Sequence, residues 1–183
     1  MKKIAIILIA VLVLASMAFS EDATPKTKEG DKAWMFSFSG LGNLGAGSYM
    51  GGVGGKYYFQ DNMALRAGLS FSTTDIPDVD KDPSSFGLNA GLQYDYSTNG
   101  AVVAYFGGNF MYSTSKTQGS DKSDNTFGIG GLAGVEWFPY NNISLSAEYM
   151  LSFESTKSAA TDKTTSTIML GKSGASLNLC VFF

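Results

Sequence analysis

MALRAGLSFST, residues 63–73, alternates large apolar side chains with small, polar or charged ones along its whole length. The apolar set is Met63, Leu65, Ala67, Leu69 and Phe71, and the intervening set is Ala64, Arg66, Gly68, Ser70 and Ser72. Because successive side chains of a β-strand point to opposite faces, this period of two predicts a strand. One face of that strand is apolar and the other is polar.

The same alternation recurs in seven further stretches, distributed from residue 34 to residue 183. They are residues 34–39, 52–59, 86–96, 102–113, 127–137, 143–154 and 175–183. Short connections at 60–62, 98–100 and 140–142 alternate with longer polar ones at 75–85, 116–125 and 156–164, and the glycine-rich segment 40–47 is the remaining long connection. This spacing predicts an all-β fold, an eight-stranded antiparallel up-and-down barrel.

The residue types on the two faces of the predicted strands indicate whether the barrel is surrounded by water or by lipid. One face is aliphatic or aromatic, and the other is dominated by glycine, serine, asparagine and charge, which is too small and polar to form the core of a soluble sandwich. A barrel that is apolar outside and polar inside is a transmembrane barrel. Five of the eight predicted strands are 11 or 12 residues long, which is enough to cross a bilayer, because a tilted strand needs ~9–11 residues for this.

Aromatic residues lie close to the short-turn ends of these strands, where an interfacial girdle is expected. They are Trp34, Tyr57, Phe59, Tyr94, Tyr96, Trp137 and Tyr140. Their alternation with polar neighbours favours the girdle over ordinary core filling.

The first twenty residues have the features of a secretory signal peptide. Lys2 and Lys3 form a basic start, residues 4–15 are an unbroken apolar run, and Ala18 and Ser20 place small residues before the cleavage site. We predict a cleavable signal peptide at 1–20, an N-terminal segment at 21–32 and a transmembrane barrel domain at 33–183. Residues 32–183 contain no uninterrupted apolar stretch of the ~20 residues that a membrane-spanning helix needs.

Charge and composition exclude several classes of function. Without Lys2 and Lys3 the chain has 11 basic and 16 acidic residues, a formal charge of −5, which disfavours nucleic-acid binding. The single cysteine, Cys180, cannot form an internal disulfide. The absence of histidine removes the usual base of a catalytic triad and the commonest metal ligand. We therefore predict no catalytic residues, no cofactor and no metal site.

One motif points to a different class of protein. Gly40, Gly42 and Gly45 follow a predicted strand with G-x-G-x-x-G spacing, as in dinucleotide-binding loops. Such a loop needs a helix after the third glycine, because the phosphates bind at the helix N-terminus. Residues 47–59, GSYMGGVGGKYYF, show no helical period. We interpret the glycines as turn and close-approach residues in a curved sheet.

The whole pattern resembles the small OmpA/OmpX-like outer-membrane β-barrels, over nearly the entire mature chain. The most specific element is the terminal strand, because its outward residues resemble the C-terminal signal that the barrel-assembly machinery recognises in that family. These residues are Ala175, Leu177, Leu179, Val181 and Phe183. The resemblance implies a bacterial outer-membrane location, a periplasmic 21–32 segment, periplasmic termini and extracellular long loops. Because the sequence stops at Phe183, we expect no peptidoglycan-binding domain.

The resemblance also implies the partners of the protein. They are outer-membrane lipid and lipopolysaccharide in the mature state, and the barrel-assembly machinery with periplasmic chaperones during biogenesis. We expect no nucleic-acid partner and a monomeric barrel.

Four charges fall on the predicted inner face of the barrel. Lys56 and Arg66 lie on strands joined by the turn 60–62, and Glu136 and Glu148 lie on strands joined by the turn 140–142. In an eight-stranded barrel these two hairpins face each other, so the charges should meet in an interior narrow enough for side chains to fill. A paired network avoids the cost of a lone buried charge, and similar charged plugs occur in the OmpA-like family. Three interpretations remain open: separately solvated charges, a gate that opens when the pairs exchange partners, and a structural polar core.

The leading function hypothesis is a non-enzymatic outer-membrane barrel that contributes to envelope integrity, with at most a narrow pore. The alternative is a surface adhesin or ligand-binding barrel that acts through its extracellular loops. The loop 75–85 is acidic but lacks EF-hand spacing, and we interpret it as solvated. An enzyme is the third class, but Glu136 and Glu148 would lie too deep in the lumen for a polymeric substrate to reach them.

Overall fold

The computed structural model describes residues 23–39, 51–73, 82–119, 122–170 and 176–183, and its regular elements in these ranges are β-strands. The strands are β1 (Lys32–Ser39), β2 (Gly51–Gln60), β3 (Met63–Thr73), β4 (Ser84–Asn99), β5 (Val102–Lys116), β6 (Ser123–Tyr140), β7 (Ile143–Lys157), β8 (Thr164–Leu170) and β9 (Ser176–Phe182). In the described part of the chain, no helix combines the length and apolarity needed to cross a membrane.

The strands close into one antiparallel barrel. From β1 to β7 each strand pairs with the next in sequence, and β9 pairs with both β7 and β1. β8 and β9 share the eighth position, because β8 pairs with β7 at Leu151–Lys157 and β9 pairs with β7 at Ile143–Glu148. The predicted eight-stranded up-and-down barrel is confirmed.

The three predicted short turns are present, although residues 98 and 99 belong to β4 and the second turn lies at 100–101. β2 and β3 are joined by Asp61 and Asn62, β4 and β5 by Gly100 and Ala101, and β6 and β7 by 141–142. Asn62 and Gly100 have φ values of 62° and 56°. This left-handed region is tolerated best by glycine and asparagine, which is why these residues fit tight hairpins.

Four strands are longer than predicted. β4, β5, β6 and β7 contain 16, 15, 18 and 15 residues, because the ladder continues through polar pairs after the apolar alternation ends. Ser115 pairs with Asp124, and Thr126 pairs with Thr156, whose hydroxyl oxygens are 2.8 Å apart. Backbone pairing does not need an apolar face once a strand leaves the membrane. The predicted strands, which began or ended at 86, 113, 127 and 154, were therefore too short.

Some predicted features lie outside the described residues. They are the signal peptide 1–20, the motif Gly40–Gly45 with the glycine-rich connection 40–47, residues 75–81 of the loop 75–85, and Ala175 of the terminal strand.

The apolar face of the barrel points outward, as predicted. Leu69, Phe106 and Val135 are 50–52% exposed in the isolated chain, whereas Arg66 and Glu136 on the opposite face are buried. The barrel is therefore apolar toward its surroundings and polar along its axis.

Candidate functional site

Two ion pairs cross the lumen. Lys56 Nζ on β2 lies 2.6 Å from Glu136 Oε2 on β6, and Arg66 Nη2 on β3 lies 2.6 Å from Glu148 Oε1 on β7. The structure thus brings together all four charges selected from the sequence, as two separate pairs. Lys56 and Arg66 are also direct partners in the β2–β3 ladder. Like charges directly opposite each other on neighbouring strands are destabilising. The Glu136 and Glu148 carboxylates on the far wall offset the repulsion between these two cations.

Neutral side chains complete the hydrogen bonding of the two carboxylates. Glu136 Oε1 accepts a hydrogen bond from the Ser144 hydroxyl. Glu148 Oε1 accepts from the Tyr105 hydroxyl at 2.9 Å and from Asn178 Nδ2 at 2.8 Å. Among the described residues, no buried side-chain nitrogen or oxygen lacks a hydrogen-bond partner. A buried polar network that is satisfied in this way stiffens the interior of the barrel.

A third carboxylate, Asp95 on β4, belongs to the same layer and was missed in the sequence analysis. Its Oδ2 accepts from the Tyr58 hydroxyl at 2.8 Å, and its Oδ1 accepts from Gln93 Nε2 at 2.7 Å. Lys56 Nζ lies 5.2 Å from the centre of the Tyr58 ring. The inward parity of β4 was the available signal, because Asp95 alternates with Tyr94 and Tyr96 on the outer face.

We call the layer that holds the two ion pairs and Asp95 the ionic layer. Between this layer and the short turns, a layer of aromatic side chains closes the lumen. Phe138 and Phe182 are buried with ring centres 5.5 Å apart, and they pack in one apolar cluster with Tyr58 and Val103. The expectation that the inner face is dominated by glycine, serine, asparagine and charge is wrong at this end. The interior of an eight-stranded barrel is narrow enough for side chains to fill, and large rings fill it at the short-turn end.

The segment 23–31, which we call the basal strap, crosses the mouth of the barrel at the short-turn end. The backbone N–H of Thr24 donates to Asn141 Oδ1 at 2.9 Å, and that of Glu29 donates to Asp61 Oδ1 at 2.9 Å. These two turns lie on opposite sides of the barrel. Ala23 and Thr27 are buried. The strap therefore spans the mouth and packs on the apolar cluster above it.

On the other side of the ionic layer, the lumen wall is rich in glycine. A cavity of about 260 Å³ is lined by Ser37, Ser70 and Asn89, with Met35 among its lining residues. Small residues are required where neighbouring strands approach closely. A Cβ added at Gly107 would lie 2.1 Å from the carbonyl oxygen of Leu92.

The residues of the predicted assembly signal lie on β9 or directly after it. Leu177, Leu179 and Val181 alternate with the inward Asn178, Cys180 and Phe182, and the Phe183 ring stacks on Trp34 with centres 6.3 Å apart. This places the predicted set, Leu177, Leu179, Val181 and Phe183, on the outer face. Its recognition by assembly machinery stays a prediction.

A closed antiparallel barrel with an apolar exterior and buried ion pairs inside defines the class of transmembrane β-barrels. The family model described as "Outer membrane protein beta-barrel domain" matches residues 6–173. The chain belongs to this family of outer-membrane barrels. No curated protein matches it in sequence.

Solved structures of similar fold come from several bacteria. Neisserial surface protein A is 20% identical, with 84% of this chain and 94% of that chain covered and a TM-score of 0.50. A major outer membrane protein of Thermus thermophilus is 13% identical, with coverages of 84% and 98% and a TM-score of 0.47. Ail, the attachment invasion locus protein of Yersinia pestis, is 15% identical, with coverages of 85% and 99% and a TM-score of 0.42. At 20% identity, the likeness to Neisserial surface protein A shows the fold alone.

Proposed function

We propose that this protein is a non-enzymatic outer-membrane barrel that contributes to envelope integrity and has at most a narrow pore. The observation that carries the proposal is the filled lumen. The ion pairs, the aromatic layer and the basal strap follow one another along the axis, so a solute would have to displace all three. A barrel that is blocked in this way suits a structural role better than general diffusion.

The proposed orientation places the short turns and the basal strap in the periplasm and the long connections outside the cell. The distribution of polar strand residues supports this orientation. Thr114, Lys116, Asn125 and Lys157 continue the outer face of β5, β6 and β7 with polar residues at the long-connection end. Lipopolysaccharide would then surround that end, and phospholipid would surround the short-turn end. The continuous apolar exterior supports a monomer in lipid.

Two experiments test the proposed function. The purified barrel in planar bilayers should show rare, small conductance steps, and a strain that lacks the protein should admit more of a large apolar dye. Complementation with wild-type protein should restore the barrier to the dye. A large, steady conductance of the wild-type barrel would contradict the proposal, as would an unchanged dye barrier in the deletion strain.

The length of β4 to β7 favours a second candidate, a surface-binding barrel. β6 has 18 residues, whereas crossing a bilayer takes ~9–11, so a polar sheet rich in serine and threonine stands above the membrane. Removal of the paired segments 113–126, with a two-residue turn in their place, tests this candidate. Loss of binding to host or bacterial cells, with normal barrel assembly, would favour it.

A further inference from the structure

We propose that a groove on the outer wall binds a glycerophospholipid, with an acyl chain along its floor and the lipid phosphate at Lys32. The basal groove has a volume of about 440 Å³ and lies near the short turns. Its lining is almost wholly apolar and includes Trp34, Gly55, Tyr57, Leu65, Ala67 and Phe183, with Lys32 at one end.

The floor of the basal groove exists because a side chain is missing. Gly55 on β2 lies in register between Trp34 on β1 and Ala67 on β3, so it faces the lipid with them. A Cβ added there would come no closer than 3.8 Å to another atom, the carbonyl oxygen of Ala33. Nothing in the packing of the barrel therefore requires a glycine, and the glycine leaves a depression that an apolar chain can fill.

Aromatic rings form the walls. Trp34 and Phe183 stack with ring centres 6.3 Å apart on one side, and Tyr57 pairs with Leu65 across the β2–β3 ladder on the other. Phe183 and Trp34 are 75% and 56% exposed in the isolated chain. Flat, rigid rings along an apolar trough give a hydrocarbon chain a large contact area.

One cation marks the end of the basal groove nearest the short turns. Lys32 Nζ lies 5.7 Å from the centre of the Tyr57 ring, and Lys32 is exposed. An exposed lysine at the end of an apolar surface keeps its ammonium at the membrane surface, where it attracts lipid phosphate. An apolar trough that ends at one cation matches an amphiphile with one phosphate. This choice of lipid rests on the proposed orientation, which puts phospholipid in the leaflet around the groove.

Native mass spectrometry of the intact mature barrel tests the proposal. Barrels are mixed in detergent with phosphatidylglycerol, and retained lipid is counted after the detergent is removed in the gas phase. Gly55→Phe should fill the groove and abolish the retained lipid. Gly131→Phe is the matched control, because Gly131 also faces outward on β6 and its added Cβ comes no closer than 3.8 Å to another atom. Lys32→Gln should lower occupancy about fivefold, which corresponds to the contribution of one lysine at a lipid surface.

Equal lipid retention by wild type and Gly55→Phe would overturn the proposal. A wild-type dimer without lipid that Gly55→Phe converts to a monomer would also overturn it, because the groove would then hold a second copy of the chain. Lipid retention in detergent does not depend on orientation. Protease cleavage of the 158–163 connection in whole cells tests orientation separately, so failure of the two proposals can be told apart.

Discussion

Replacing Glu136 with glutamine should destabilise the barrel more than any exposed charge substitution does. The change leaves the Lys56 ammonium in the lumen without its carboxylate, which now lies 2.6 Å away, and both side chains are at most 2% exposed. Breaking a buried pair by removing one partner costs about 3–5 kcal/mol. The glutamine carbonyl still accepts a hydrogen bond from Lys56, so we expect the lower end, about 3 kcal/mol.

Equilibrium urea unfolding in phospholipid vesicles measures this loss. Fluorescence of Trp34 and Trp137 and the mobility of unheated samples on SDS gels report the folded fraction. With an unfolding slope of about 1–3 kcal/mol per molar urea, the midpoint should fall by roughly 1–3 M. The double variant Lys56→Gln/Glu136→Gln should recover part of the loss, because no unpaired charge remains.

The control is the exposed pair Lys157–Asp162, whose charged atoms are 2.9 Å apart. Asp162→Asn should leave the midpoint unchanged, because water screens this pair. The reasoning is refuted if Glu136→Gln unfolds with the wild-type midpoint, or if the double variant is less stable than Glu136→Gln by the full cost of a second lost partner.

Three further predictions concern the strap, the lumen wall and the outer wall. Deletion of residues 21–27 removes the hydrogen bond from Thr24 to Asn141 and the one that the Asn62 N–H donates to the Thr27 carbonyl. It should lower the unfolding free energy by about 2 kcal/mol, measured by the same urea titration; unchanged stability would mean that the strap does not hold the turns. Gly107→Ala should cost about 1–3 kcal/mol through steric strain, whereas the neighbouring Gly108→Ala should be neutral, since its Cβ comes no closer than 3.9 Å to another atom; similar midpoints for the two variants would contradict this. Ala133→Arg places a charge midway along the outward row of β6 and should cost about 2–4 kcal/mol, seen as a lower fraction of heat-modifiable barrel; refolding at the wild-type yield and stability would count against a lipid-facing wall.

The fold could be predicted because lipid and lumen impose opposite requirements on alternate residues. From Met63 to Phe71 every outward position is apolar, and the same rule repeats around the barrel. The meeting of Lys56 and Arg66 with Glu136 and Glu148 followed from parity, strand order and distance from the turns, all of which can be counted in a sequence. Which cation binds which carboxylate depends on the stagger of the strands, and the sequence does not specify it.

The aromatic layer and the basal strap escaped prediction for different reasons. Phe138 continues the inward parity of Glu136, but the predicted strand ended at Trp137, before the register shift between Trp137 and Tyr140. The basal strap has no periodic signal at all. Its contacts are mostly single backbone hydrogen bonds, such as the one from Thr24 to Asn141 across 117 positions, and no pattern of side chains marks them.

The basal strap also has a consequence for the order of assembly. The strap precedes the barrel strands in the sequence. Its hydrogen-bond partners Asp61 and Asn141, however, come into position only when both hairpins have formed and the barrel has closed. Docking of the strap is therefore a late event. A protease site placed at Lys26 would remain cleavable in every assembly intermediate and become resistant when the barrel closes. The time at which cleavage stops would therefore report the time of barrel closure in living cells.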